Sequence, residues 1–414
     1  MKTRKKLLTA CLALMALTMT SCNNSDDSTP QAREWKPGTI ALESSEQTMA
    51  VNNNDFAFRL FSQCETANAG QSNLVSPLSM TYLMAMLSDG AKGQTRTEII
   101  DMLGFKGYDD TAVRKFCQTV MSASQQMDGR IQLETANALF LQDGFPVKES
   151  YTSTISNYYR GDAQSLDFRN GSDAVGRINQ WCSDHTHGLI PTFVKEVAPE
   201  TKLMSLNAIY FKGQWYNQFD KSRTQDATFT GEDQTKTSVK MMKQRENYAY
   251  TDNEACQMVV LPYGNGSFRM AVMLPKEGKT VADIASGLTA ATFAEALEKA
   301  KSYDVTLSLP RFSTSTELNC KDLLKAMGAA TMFSMNADFR NISDATLYVS
   351  QVKQKATIEV NEEGTTAAVV TGDGMLTTDF NYQKQVTFCA DHPFLYIIYE
   401  SSSKLVYFIG TYKG

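Results

Sequence analysis

The sequence predicts an α+β fold in which helices dominate the first half and large sheets are completed late. Three observations predict it. Apolar residues recur with helical period at about 111–127, 148–160, 172–187, 281–300 and 316–328. Strand signals concentrate in the second half. Val305, Leu307 and Leu309 alternate with Thr306 and Ser308, Ala356, Ile358 and Val360 alternate with Thr357 and Glu359, and LYIIYE and LVYFIGTY are continuous apolar runs suited to burial on both faces. Finally, 414 residues at 42% hydrophobic content can bury a large core, and no linker or internal repeat divides them, so one domain over 51–414 is expected.

Taken in order, the chain opens with a targeting signal. Lys2, Arg4, Lys5 and Lys6 form a positive start, and the apolar run from Leu7 to about Met19 is too short to span a membrane, so residues 1–21 read as a signal peptide. Its end, Met19-Thr20-Ser21-Cys22, resembles a bacterial lipoprotein cleavage box in which Cys22 becomes the lipidated first residue. Met19 departs from the usual Leu, Val or Ile, which leaves ordinary signal cleavage as the rival. Residues 22–50 read as a flexible polar tether, and Asp26 and Asp27 beside Ser25 resemble the acidic export signals of some Gram-negative surface lipoproteins. The expected location is therefore outside the cytoplasm, as an outer-membrane lipoprotein, surface-exposed, or as an extracellular protein. Packed structure is expected from about Asn54, where Asp55, Phe56, Phe58, Leu60 and Phe61 open an amphipathic helix. Ser76-Pro77 ahead of LSMTYLMAML supplies an N-cap and a first-turn proline, Asp89-Gly90 closes that helix, and its apolar residues on nearly every face predict burial.

Composition narrows the function. A net charge of -5 and a pI near 5.5 argue against a general nucleic-acid binder, because phosphate neutralisation needs a basic face. Cys64, Cys117, Cys182, Cys256, Cys320 and Cys389 lie more than fifty residues apart, without metal-type spacing, and are expected as buried free thiols. The sequence holds no GxSxG elbow, HExxH, Walker loop or strand-linked GxGxxG. His185 and His187 in DHTHG have no Cys or carboxylate set beside them and read as surface groups at a helix end, and His392 in DHPF stands apart. Neighbouring Glu362 and Glu363 would point to opposite faces of a strand and could not act on one bond. Neither an enzyme nor a cofactor or metal protein is expected.

The stretch VNEEGTTAAVVTGDGM, Val360 to Met375, is unlike a conventional loop and unlike a buried strand: two acids and a glycine precede small uncharged residues. Together with NNDFAFRLFSQ, NLVSPLSMTYLMAMLSDGAKGQT, INQWCSDHTHGLIP, SLNAIYFKGQW, QKATIEVNEEGTTAA and ADHPFLYIIY, it resembles the ordered signature segments of the serpin family of protease inhibitors, from about Asn52 to the C-terminus. The resemblance implies three β-sheets, about eight or nine helices and an exposed reactive-centre loop at about 362–385. It also implies that Ala356–Val360 lies in a central strand of the largest sheet. A target protease cuts such a loop as a substrate, and the cleaved loop then enters that sheet as an added strand, trapping the protease as a covalent acyl-enzyme. The fold that does this is metastable. A non-inhibitory binding or structural protein on the same fold is the alternative.

Insertion explains the small residues, because charged or very large side chains on the inward face would block a central strand. The family's spacing from Gly364 puts the scissile bond at Thr378-Asp379, with Thr377-Thr378 second, and makes Glu362, Glu363, Gly364, Thr365, Thr366, Ala367 and Ala368 the hinge. Thr365, Ala367, Val369 and Thr371 would then point inward; so would Asp373, late in insertion, while Gly372 and Gly374 weaken strand propensity. Thr366 stands where many relatives have glutamate. Glu362 and Glu363 are expected to keep the pivot solvated, and Gly364 to let the chain rotate. In the region that must part, Ser76, Ser79, Asn207 and Trp215 match the family. Gln354 replaces a histidine, with an intact hydrogen-bond network but no pH sensitivity expected. The implied partners are a serine or cysteine protease of small or aliphatic specificity and, through the lipid anchor, a membrane, with the protein itself a monomer that binds no nucleic acid.

Overall fold

The computed structural model describes residues 35–188, 190–365 and 384–414. Cys22, Thr366, Ala367, Ala368, Thr377, Thr378 and Asp379 lie outside the described residues. The helices there are α1 (Ser44–Ala67), α2 (Pro77–Gly90), α3 (Gly93–Met102), α4 (Asp110–Ser124), α5 (Glu149–Tyr159), α6 (Gly171–His185), α7 (Val281–Gly287), α8 (Ala290–Lys299) and α9 (Lys321–Ala326). The strands are β1 (Leu74–Val75), β2 (Ile131–Gln142), β3 (Asp162–Leu166), β4 (Leu203–Gln214), β5 (Gln225–Thr230), β6 (Lys236–Asp252), β7 (Cys256–Pro262), β8 (Phe268–Pro275), β9 (Lys301–Pro310), β10 (Phe312–Asn319), β11 (Gln351–Asn361), β12 (Gly364–Thr365), β13 (Gln385–Cys389), β14 (Phe394–Glu400) and β15 (Val406–Tyr412).

Among these residues the strands form two hydrogen-bonded networks. One has six strands in the order β10-β11-β12-β4-β2-β3, and the other has nine, running β1-β15-β14-β8-β7-β6-β9-β13 with β5 also on β6. The three expected sheets appear as two because β6, at 17 residues, is long enough to pair β5 along its first part, β9 from Met241 to Tyr250 and β7 at its end. β11 is central as expected, but in the smaller network. That six-stranded sheet is sandwiched. Alternate residues of β2 and β4, among them Ala136, Ala138, Phe140, Met204, Leu206 and Ala208, meet Ile178 and Trp181 of α6 on one face. Leu139, Leu141, Leu203 and Phe211 face the main core, which includes α2. All of α2 is buried, as its apolar faces predict, but Ser76 does not cap it through its side chain.

Three elements depart from the sequence reading. α1 starts at Ser44 rather than near Asn54, nucleated by a capping box between Glu43 and Glu46. Asn53 and Asn54, polar in sequence, are buried and satisfied there, Asn53 donating to Thr81 Oγ1 (2.7 Å) and Asn54 donating to Lys404 O (2.8 Å). The tether expected to run to residue 50 therefore gives way to packed chain by Gly38, whose N–H donates to Ser267 Oγ (2.7 Å). The helical pattern at 281–300 divides at Leu288, because Thr289 opens α8 with its own capping box. At 316–328 only Lys321–Ala326 is helical, since residues up to Asn319 pair along β11 and tertiary pairing overrides the local pattern.

Candidate functional site

The site is built where β11 and β4 diverge. They pair in parallel from Gln351↔Met204 to Ala356↔Ile209. Beyond that level a short strand lies between them. Gly364 and Thr365 of β12 pair with Asn361 and Val360 on one side and with Gln214 and Gly213 on the other. Residues 364 and 365 thus form a two-residue strand between β11 and β4. Gly364 is obligatory for this, because at φ +147° a Cβ would lie 2.0 Å from Gly213 O. Thr365 is fully buried, and its hydroxyl meets Tyr263 OH at 2.8 Å.

Trp215 and Tyr263 form the wall of this berth, stacked with centroids 4.3 Å apart and planes 14° apart. Trp215 Nε1 donates to Asn361 O (2.9 Å), and its backbone N–H donates to Glu363 O (2.9 Å). Burial raises the Tyr263 phenol, so the hydroxyl facing Thr365 stays protonated.

The two acids do not solvate the pivot. Glu362 and Glu363 are 2% and 6% exposed, in a turn that aims both carboxylates into the protein. Glu362 takes two bonds from Arg311 Nε, at 2.7 and 2.8 Å, and one from Thr224 Oγ1, while Lys221 Nζ pairs with Glu363. Burial pushes the Glu362 carboxyl up, but the bonds from Arg311 and Thr224 outweigh it and hold it below the usual range. A buried carboxylate needs such partners, and no cation near Glu362 in sequence supplies one. Arg311, Lys221, Thr224 and Tyr263 were therefore invisible to motif reading, although two consecutive acids ending a buried strand do signal that cations must arrive from elsewhere.

Below the berth, one belt of side chains crosses three strands. Gln354, Asn207 and Asn137 stand opposite one another on β11, β4 and β2. Gln354 Nε2 donates to Asn207 Oδ1 (2.8 Å), and Asn207 Nδ2 donates to Asn137 Oδ1 (2.8 Å) and to Ser79 Oγ. Gln354 also exchanges two 2.9 Å bonds with the backbone of Ser76, whose Oγ donates to Tyr407 O (2.7 Å). The glutamine therefore links β11 to β4 and to Ser76, while at the far end of the belt the buried Asn137 Nδ2 has no partner among the described residues. Separating β11 from β4 would break the Gln354–Asn207 bond.

The remaining candidates lie elsewhere. His185 stacks on Trp181 at 4.4 Å and bonds Trp181 O, His187 bonds Gln132, and His392 lies between Asp391 and Pro275 O, so each imidazole is engaged by the protein. Cys64, Cys117, Cys182, Cys256 and Cys320 are buried free thiols and Cys389 is half-buried. Burial pushes Cys64 up to about 12 and Cys256 to about 11, which keeps both protonated and unreactive.

The comparisons agree with this geometry. The family model for serpin, the serine protease inhibitor family, matches residues 51–413. The chain belongs to the serpin family. A serpin-like protein of Methanosarcina mazei is 32% identical over 416 residues, covering 98% of this chain and 96% of its own. A serine protease inhibitor of Cyanea capillata is 32% identical over 87% of this chain and 97% of its own. The crystal structure of the thermophilic serpin Tengpin in its native state superposes with a TM-score of 0.83 at 26% identity, covering 92% of this chain and 97% of that one. The family's members are protease inhibitors rather than enzymes, and the fold here is theirs.

Proposed function

We propose that this serpin is an exported suicide-substrate inhibitor of serine or cysteine proteases, held at a membrane by lipid on Cys22. The observation that carries the reading is the berth of Gly364 and Thr365, since a sheet that already pairs both sides of the hinge accepts a new central strand. A protease cuts Thr378-Asp379, or Thr377-Thr378, and forms an acyl-enzyme. The freed segment then zips in from Thr365, breaking the Gln354–Asn207 latch and carrying the protease along. About eight to ten newly paired residues at ~0.5–1.5 kcal/mol per net hydrogen bond release on the order of 10 kcal/mol. That is comparable to the roughly 5–15 kcal/mol stability of a whole domain such as the protease.

The domain boundaries belong to the same proposal: signal peptide 1–21, a tether from Cys22, and the inhibitor domain to residue 414. The fold also occurs in thyroxine-binding globulin in complex with thyroxine, at 27% identity and a TM-score of 0.81, so it is the hinge rather than the fold that favours inhibition over binding alone. Incubation with subtilisin followed by denaturing electrophoresis tests the reading. A covalent complex supports it, and a cleaved chain with no complex leaves the non-inhibitory alternative.

A further inference from the structure

The chain ahead of the family-matched region makes an unexpected contact. Trp35 is 48% exposed, yet its ring sits edge-on to Tyr216 with centroids 5.1 Å apart and lies under the Arg269 guanidinium at 5.4 Å. It also covers Gly266, at φ +91°, where a Cβ would come within 2.7 Å of the indole. The contact is pinned from behind. Gly38 N–H donates to Ser267 Oγ (2.7 Å), and Ile40 N–H donates to Ser402 Oγ (3.1 Å). Two of its contacts, Tyr216 and Gly266, are one step from the hinge berth. Tyr216 follows Trp215 directly and its N–H donates to Pro262 O (2.8 Å), while Gly266 N–H donates to Tyr263 O (2.7 Å) and Gly264 N–H to Gln214 O (2.7 Å).

We propose that Trp35 is a positioning residue for loop insertion, a strap that clamps Tyr216 and the 263–266 turn so that Trp215 and Tyr263 hold Thr365 in its berth. Its role in inhibition rests on the reading above; its effect on the hinge does not. The indole belongs to neither apolar core. What it adds is rigidity in the two segments that carry the Trp215–Tyr263 stack. An edge-on aromatic pair and a guanidinium–indole contact together correspond to about a tenfold change in local opening.

Hydrogen exchange on the full chain tests this. In Trp35→Ala, amides of 361–365 and 263–266 are expected to lose about tenfold protection, while β14, β15 and the denaturation midpoint stay as in wild type. Trp35→Phe, which keeps a ring on Tyr216 and Arg269, should recover part of that protection. With subtilisin, Trp35→Ala should raise the number of inhibitor molecules cleaved per protease trapped. Unchanged exchange at 361–365, uniform acceleration throughout, or no recovery by phenylalanine would overturn the strap. If wild type traps no protease while the exchange result holds, the inhibitory reading fails and the strap stands.

Discussion

Thr365→Arg puts a charge where the hinge enters. Thr365 is fully buried between Val360 and Gly213, and the polar partner of its hydroxyl is Tyr263 OH at 2.8 Å. The nearest acids in the chain, Glu362 and Glu363, are already engaged by Arg311 and Lys221. A guanidinium there would be buried without a counter-ion, which costs about 3–5 kcal/mol. The Thr365–Tyr263 bond and the short ladder of β12 supply only ~1 kcal/mol per bond against that cost. The hinge is therefore expected to leave the sheet, and the first step of insertion to slow by about two to three and a half orders of magnitude. The loop remains cleavable. Titration of subtilisin should show wild type trapping the protease near one to one and Thr365→Arg being consumed as substrate, with Thr365→Ser behaving as wild type. Trapping by Thr365→Arg at wild-type stoichiometry would refute insertion through this berth.

Arg311→Ala leaves Glu362 buried with Thr224 and is expected to cost about 2 kcal/mol in a urea titration, below the roughly 3–5 kcal/mol of a fully buried broken pair because Arg311 itself is 43% exposed. The Glu362 carboxyl is held below its usual range, so the stability it contributes is full above the ordinary glutamate pKa and fades as pH falls through the lower folded value; wild type and Arg311→Ala should converge in acid. The belt of Gln354, Asn207 and Asn137 contains no titratable group, so Gln354→His, whose buried imidazole resists protonation, should lose thermal stability relative to wild type as pH falls from about 7 to 5. If Cys22 carries lipid, Cys22→Ala should move the protein from the membrane fraction to the soluble fraction, because two acyl chains supply an affinity that a polar tether lacks.

Much of this was legible in the sequence, for reasons particular residues show. The apolar faces of α2 and the continuous runs of β14 and β15 declare burial directly, and Gly364 ahead of small residues marks a backbone passage that side chains must not obstruct. What stayed hidden depends on distance in the chain. Glu362 looks solvated until Arg311 and Thr224, 51 and 138 residues away, arrive beside it. Asn54 shows in sequence only a polar side chain at the expected start of packed structure until Lys404 and Val406, more than 300 residues later, take up its amide. Thr316 and Leu318 fit a helical period in isolation and become strand only because β11 offers a ladder. Trp35 carries no periodic or motif signal at all.

The most direct test of the central claim is one reaction of purified protein with subtilisin, resolved by denaturing electrophoresis and mass spectrometry with trypsin as the control. Between Gly364 and Gln383 the sequence has no Lys or Arg, so trypsin has nothing to cut within the insertable segment. The account predicts a stable one-to-one covalent complex with subtilisin, release of a peptide beginning at Asp379 or Thr378, and no complex with trypsin. A fully cleaved chain with active subtilisin and no complex, or a trypsin complex releasing a peptide that begins at Gln385, would contradict it.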